Sequence, residues 1–514
     1  MKFPSFSSAL REAFSFPVLL GTFLAAAALS VASFKLADSD MWWHVAVGKD
    51  ILATAVWPTT DPYSFTARGT DWIAYEWLGE VAMAEAARLG GLVGLAALLG
   101  VLAATFMILL YYCAYLRSGN SKAAFVACFL IFFLAAGFFT LRPQLLGYIF
   151  LLVTLITLEH FRQGHPRAIW VLPGLFLLWV NTHGTFTFGL LALALTWASG
   201  LVARHLSFVT CQRHESGSLC AETWNPPQRR QLLFVMLCSV LVLPLTPYGT
   251  RAAAYPLRMA LSQPINISSI SEWQPLGASG EVLKLFLAFF LPFLLAQIIW
   301  RPVYRLEEMA LLLFAIYMAC EHSRFLILFV VIFAPLLAML LARWVPQYEP
   351  AQDRATLNAA LVTLIVLVVA AKLLPRQKDL ERDVAKAYPQ GAVEYLRAHP
   401  LAGPMLNEYG WGGYLIWAMG QESSVFIDGR ADVYEYAGIL SDYFRIMRLD
   451  RETLPLLRKY RVKACLIERE SPLATLLAAL PHWRRSYSDD LSVLFEEEQE
   501  SRSQEPAARR NLAF

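Results

Sequence analysis

Stretches of about 20 mostly apolar residues recur along most of this chain, and that recurrence is its strongest constraint. They fall near 16–37, 90–116, 122–139, 143–161, 168–181, 185–203, 231–249, 281–300, 306–320, 325–342 and 358–374. About 20 such residues are what a helix needs to cross the hydrocarbon core, where every backbone polar group must be satisfied internally. The pattern predicts an all-α polytopic membrane domain of about eleven spans. Composition agrees: 57% of residues are apolar, only 16% are charged, and the mean hydropathy is +0.47. A soluble domain carries roughly 25% charged residues, so a large soluble enzyme is excluded. Disorder is excluded too, because it needs low hydrophobicity and high net charge. The 43 basic and 40 acidic residues give +3, so no nucleic-acid partner is expected.

The run at 16–37 is too long for the apolar core of a signal peptide and reads as the first span. Lys and Arg then set orientation, because they collect in cytoplasmic loops. Lys2, Arg11, Arg117, Lys122, Arg162, Arg167, Arg204, Arg229, Arg301, Arg305 and Arg343 lie in alternate loops. Placing these inside puts the N-terminus in the cytoplasm. Residues 38–88, the turns near 140–143, 181–184, 250–280 and 321–324, and everything beyond 375 then lie outside the cell (inner) membrane.

Three segments follow. Residues 1–374 form the membrane domain, with a large first outer loop at 38–88. A charged break at 375–383 opens a small extracytoplasmic α/β domain at 375–498. There, strands are expected at 405–408, 425–428 and 463–468, helices at 391–398, 414–419 and 451–460, and a closing hairpin at 484–495. Residues 499–514 read as a disordered tail. The seven cysteines show no disulfide framework. Cys211, His214 and Cys220 share a loop, but their spacing matches no standard zinc site.

The middles of the spans carry almost no ionisable residue, and the charges gather at the outer end. A transporter usually keeps its site near the midplane, whereas a charged outer rim suits chemistry at the membrane surface. The first outer loop is richest. Asp38, Ser39, Asp40, Trp42, Trp43 and His44 stand where the first span ends, and Tyr75, Glu76, Trp77 and Glu80 follow. A carboxylate there can take a proton from a hydroxyl or help hold a divalent cation. Asp38 also suits a helix N-cap, and Glu80 reads as facing solvent. Arg142 and Arg324, in short outer turns, break the charge rule and call for an anion, either a phosphate or an internal acid such as Glu321 or Glu272. Gln144, Asn181, His183, Glu272 and His322 complete the polar groups of these turns. In the C-terminal part, Asn407–Tyr414 and Phe426–Tyr434 are dense in glycine and aromatics. They fit a sugar- or peptide-contacting face or, equally, turns after buried strands.

A long acidic first outer loop, many helices and a closing extracytoplasmic domain resemble the glycosyltransferase C (GT-C) superfamily. The local resemblance rests on Asp38–His44, Tyr75–Glu80 and Arg142-Pro143-Gln144. It is similar to the protein-mannosyltransferase-like and lipid A sugar-transferase-like branches. The resemblance implies transfer of a sugar, inverting, from a polyprenyl-phosphate donor to an extracytoplasmic glycan, lipid or protein. It assigns Asp40, or Asp38, as base or metal-positioning group, with Glu76 as a candidate second carboxylate. His44, Arg142, Gln144, Asn181, His183, Glu272, His322 and Arg324 would bind substrate. Many members carry Asp-Glu where this chain has Asp40-Met41. A magnesium or manganese ion at Asp38 and Asp40 is the one candidate cofactor. The competing functions are a lipid-linked glycan transporter or flippase, and a non-catalytic protein of envelope assembly.

Overall fold

The computed structural model describes residues 11–32, 36, 38–202, 219–221, 224–278, 280–373, 376–420 and 424–498. The chain divides into two compact units. The first takes residues 1–60 and 70–384. The second takes 61–69 and 385–514. The expected boundary at 374/375 thus stands against a division at 384/385, and a piece of the first loop joins the C-terminal unit.

The first unit is helical. Its elements are α1 (Phe16–Ala32), α2 (Ser39–Thr54), α3 (Trp77–Ser118), α4 (Ser121–Ala136), α5 (Pro143–Arg162), α6 (Leu172–Val180) and α7 (Phe186–Val202). Then follow α8 (Pro226–Leu241), α9 (Thr250–Ser262), α10 (Pro264–Ser269), α11 (Gly280–Trp300), α12 (Leu306–Glu321), α13 (Leu326–Leu341) and α14 (Ala355–Val368). Among the described residues, four helices are long and apolar enough to cross a membrane: Trp77–Ser118, Pro143–Arg162, Gly280–Trp300 and Ser323–Leu341, the last including the short turn before α13. Five shorter apolar helices accompany them. With the composition, this makes the chain a membrane protein.

Local chemistry explains the boundaries. Asp38 caps α2 by accepting from the Asp40 amide, and Asn120 caps α4 through the Lys122 and Ala123 amides. Pro143 sits in the first turn of α5, where its missing N–H costs nothing. The expected span at 90–116 is the later part of the longer α3, which kinks at Gly91, φ +56°. The expected outer loop at 250–280 holds α9 and α10.

Two glycines set the packing that matters most. A Cβ on Gly48 of α2 would lie 2.1 Å from the Glu80 carbonyl oxygen of α3. A Cβ on Gly79 would lie 2.8 Å from Pro143 Cβ at the start of α5. The first turns of α3 and α5 and the middle of α2 are thereby drawn to one place. Trp42, Phe106, Phe139, Tyr148, Trp179 and Phe329 are fully buried in this unit.

Charge is not confined to one end of the bundle, as the sequence suggested. About 25 Å from Arg142 along α5, Glu159 meets Arg305 at 2.5 Å. Beside it Arg162 meets Glu307 at 2.6 Å, and Arg117 meets Glu308 at 2.5 Å. These arginines are partners of buried acids rather than free loop cations.

In the first unit, β1 (Leu219–Cys220) and β2 (Tyr304–Arg305) form a short parallel pair. The second unit carries a four-stranded sheet in the order β3-β4-β6-β5. Its strands are β3 (Met405–Asn407), β4 (Ala464–Glu468), β5 (Trp483–Ser488) and β6 (Ser492–Glu497). β3 runs parallel to β4, and β6 is antiparallel to both neighbours. Val425–Asp428 is not a sheet strand; Val425 forms a lone bridge to Ser64. The charged break is corrected in part, since Gln377–Ala387 is a helix. Cys211, His214 and the tail at 499–514 lie outside the described residues.

Candidate functional site

The site grows from Arg142, the N-cap residue of α5. Its Nε donates to Asp38 Oδ2 at 2.7 Å, and its Nη1 lies 3.0 Å from Asp40 Oδ2 and 3.1 Å from Glu272 Oε2. Asp38 therefore serves both readings, because Oδ1 caps α2 while Oδ2 holds the arginine. Arg324, in the turn before α13, reaches the other oxygen of Glu272 at 3.4 Å and stacks on Trp273, 4.1 Å from the ring centre. Two arginines from separate turns are thus joined by one acid. The internal partner is Glu272, not Glu321.

Arg142, Gln144, Tyr148, Glu272, Ser323 and Arg324 are among the polar groups that line a cavity of about 370 Å³. Phe133, Leu134, Phe138, Val282, Leu285 and Ile327 supply its apolar walls. A cleft lined by both apolar side chains and guanidinium groups can take an amphiphile with an anionic head.

A second, buried chain lies behind it. Thr185 N–H donates to His183 Nδ1 at 3.1 Å, which leaves the His183 proton on Nε2, 3.2 Å from Glu76 Oε1. Glu76 Oε2 faces His44 Nε2 at 3.6 Å, and His44 Nδ1 lies 3.1 Å from Glu80 Oε1. Glu80 is 1% exposed, so its expected place in solvent is corrected: Gly48 brings it against α2.

Burial sets the protonation states. It pushes Asp40 up to about 7, against the pull of Arg142. It pushes Glu76 up to about 8, so this acid is protonated at neutral pH. It drives His44 well below its usual value and His183 down to about 3, so both are neutral. Burial raises Glu272 as well, but Arg324 and Arg142 outweigh it, and the net shift is downward.

His44, Glu76 and Glu80 each place one ligand atom within 4.8 Å of the others. However, Glu80 faces Nδ1 and Glu76 faces Nε2, opposite edges of one ring. That suits a hydrogen-bonded chain better than a shared ion. At Asp38 and Asp40 the oxygens suit a hard cation, but the Arg142 guanidinium already lies between them.

Of the residues predicted from sequence, Asp38, Asp40, Arg142, Glu272 and Arg324 come together, and Gln144 shares their cavity. Glu76, His44 and His183 form the adjoining chain. Asn181 is engaged structurally: it accepts from Trp77 Nε1 at 2.7 Å and donates to the Leu177 and Leu245 carbonyls. His322 lies 2.6 Å from the Trp273 carbonyl through Nδ1. Sequence reasoning missed Ser323, Tyr148 and Thr185, whose residue types carry no signal until the turns are assembled.

No protein-family model matches the chain, and no curated protein matches it. Solved structures do. Over 92% of this chain and 71% of its own length, the oligosaccharyltransferase AglB from Archaeoglobus fulgidus superposes with a TM-score of 0.53 at 14% identity. That structure is a complex with an inhibitory peptide and a dolichol-phosphate. ArnT from Cupriavidus metallidurans, bound to undecaprenyl phosphate, matches over 93% of this chain and 97% of its own, with a TM-score of 0.50 at 14% identity. The chain shares the fold of these two structures over most of its length. That likeness of fold agrees with the resemblance read in the sequence.

Proposed function

We propose that this protein is a membrane glycosyltransferase that moves a sugar from a polyprenyl-phosphate donor to an extracytoplasmic acceptor. The observation that carries the reading is the largely apolar cleft lined also by Arg142 and Arg324. Two neighbours of this fold were solved with a dolichol-phosphate and with undecaprenyl phosphate. In this reading the lipid tail lies along the apolar walls, and the guanidiniums meet the phosphate. They also stabilise the charge that grows there as the glycosidic bond breaks.

Asp40 is the base. Its carboxyl, raised to about 7, is matched to taking a proton from an acceptor hydroxyl near neutral pH. The hydroxyl oxygen attacks the anomeric carbon, the lipid phosphate leaves with the bonding pair, and the carbon inverts. Asp38 positions Arg142. A divalent cation is not needed to balance Asp38 and Asp40 while Arg142 stands between them, so no step is routed through one. The neutral chain Glu76–His44–His183 holds α2, α3 and the 181–184 turn in register. Opening of the cleft to the extracytoplasmic side, with the N-terminus in the cytoplasm, belongs to this proposal.

Asp40→Asn tests it. The substituted protein should stay folded, bind undecaprenyl phosphate, and lose sugar transfer by about a hundredfold or more. Undiminished transfer would refute the assignment of Asp40. A flippase or an assembly protein would show no transfer in the wild type.

A further inference from the structure

Glu272 is out of place in a phosphate cradle. Its two carboxylate oxygens occupy Arg142 and Arg324, the groups that a donor phosphate needs. We infer that Glu272 is an internal stand-in for the donor's phosphate, displaced on binding and returning to release the lipid product. This deepens the proposed donor reading and rests on it.

Three observations carry the inference. Among the described residues, Glu272 alone bridges the two cations, at 3.1 and 3.4 Å, so an anion that engages both must replace it. Arg324 is incompletely served, because its buried Nε meets no acceptor among the described residues. A phosphate offers more oxygens than one carboxylate and can fill that vacancy.

The third concerns the backbone. The 271–274 turn is bolted to the 322–324 turn. Ser323 N donates to the Gln274 carbonyl at 3.0 Å, Ser323 Oγ to the Glu272 carbonyl at 3.1 Å, and His322 Nδ1 meets the Trp273 carbonyl at 2.6 Å. Trp273 also lies under Arg324. The backbone of Glu272 is therefore fixed to the element that carries Arg324, while its side chain remains about one-third exposed. Displacement needs only a rotation of that side chain, with no opening of a loop. Without Glu272, Arg324 would face the cleft with no acid partner among the described residues, while Arg142 would keep Asp38 and Asp40. With it, Arg324 is matched by an acid until an anion arrives.

The competition gives a signature that a merely structural acid would not. Purified wild type, Glu272→Gln and Glu272→Ala are compared in nanodiscs for binding of undecaprenyl phosphate. Both variants should bind about tenfold more tightly, because a like charge has been removed from the phosphate's place. Dissociation should slow. In steady-state transfer, KM should fall together with kcat, since product release is no longer assisted. Affinity unchanged or weakened in both variants would overturn the stand-in role and leave the donor reading intact. A wild type that binds no lipid phosphate would overturn the donor reading and the stand-in with it. Inorganic phosphate separates a lipid headgroup from the free anion. The apolar walls require the lipid to bind at least ~100-fold more tightly, and equal affinities would overturn the lipid assignment.

Discussion

Arg142 Nη1 lies 3.0 Å from Asp40 Oδ2, so the proposed base is held by the same cation that is proposed to meet the donor's phosphate. Donor binding and base strength are then coupled. As Arg142 turns to the phosphate, Asp40 loses a stabilising partner and becomes more basic when a hydroxyl arrives.

Activity should therefore follow the ionisation of Asp40. A base with its carboxyl raised to about 7 is active when deprotonated. We expect kcat/KM to fall about tenfold per pH unit below 7 and to flatten above it. A profile flat down to pH 5 would contradict the assignment.

Arg142 should not tolerate lysine. The guanidinium serves Asp38, Asp40 and Glu272 at once, and an ammonium lacks the planar fork to do so. Arg142→Lys should preserve expression while weakening undecaprenyl-phosphate binding by roughly tenfold or more. Arg142→Gln leaves Asp38 and Asp40 without their cation, while Glu272 keeps Arg324, and should lower thermal stability as well, by about 3–5 kcal/mol.

The apolar runs and the acids and arginines of the outer turns were legible because the bilayer imposes length on one and rarity on the other. Which acid meets which arginine was not. Glu159 and Arg305 lie 146 residues apart, and Arg142 and Glu272 lie 130 apart. Only helix packing makes them neighbours. Glu80 was misjudged because its burial depends on Gly48, which looks like any other glycine until α2 meets α3. In the C-terminal unit, the strands expected at 405–408 and 463–468 and the hairpin at 484–495 stand as β3, β4 and the pair β5 and β6. The helices at Ala431–Tyr436 and Ile439–Met447, six and nine residues long, were not foreseen. Asn407 is fully buried and bonds Phe426 N and the Ile427 carbonyl, so in the dense Asn407–Tyr414 stretch this residue is engaged as structure.

Gly48 should be intolerant of even a methyl group. The Cβ of Gly48→Ala would lie 2.1 Å from the Glu80 carbonyl, and backbone cannot yield as a side chain tip can. We expect a loss of about 1–3 kcal/mol, read as a lower melting temperature. Transfer activity should fall too, because α2 carries Asp40. An unchanged melting temperature would argue against the close approach of α2 and α3.

In the C-terminal unit, Arg430 is buried between two acids, 2.7 Å from Asp61 and 2.6 Å from Asp428. Burial pushes Asp61 up, yet Arg430 holds it below the usual carboxylate value. Asp61→Ala should cost about 3–5 kcal/mol by leaving part of a buried charge unmatched. Limited proteolysis should then cut within 61–69 sooner than in the wild type.

Glu76 offers a test in which stability, not activity, is read against pH. Its carboxyl titrates at about 8 in the fold, against 4.5 ordinarily, because burial disfavours the charged form. Between pH 4.5 and 8 the folded protein keeps a proton that the unfolded chain has released. Stability is then highest below pH 4.5 as far as this group is concerned, and it declines as pH rises towards 8. Glu76→Gln mimics the protonated acid. It keeps an acceptor for His183 Nε2 and a donor towards His44. The variant should match the wild type near pH 5 and melt higher than it near pH 8. Parallel melting curves across that range would show that Glu76 is ionised in the folded protein, and the neutral chain through His44 and His183 would have to be redrawn.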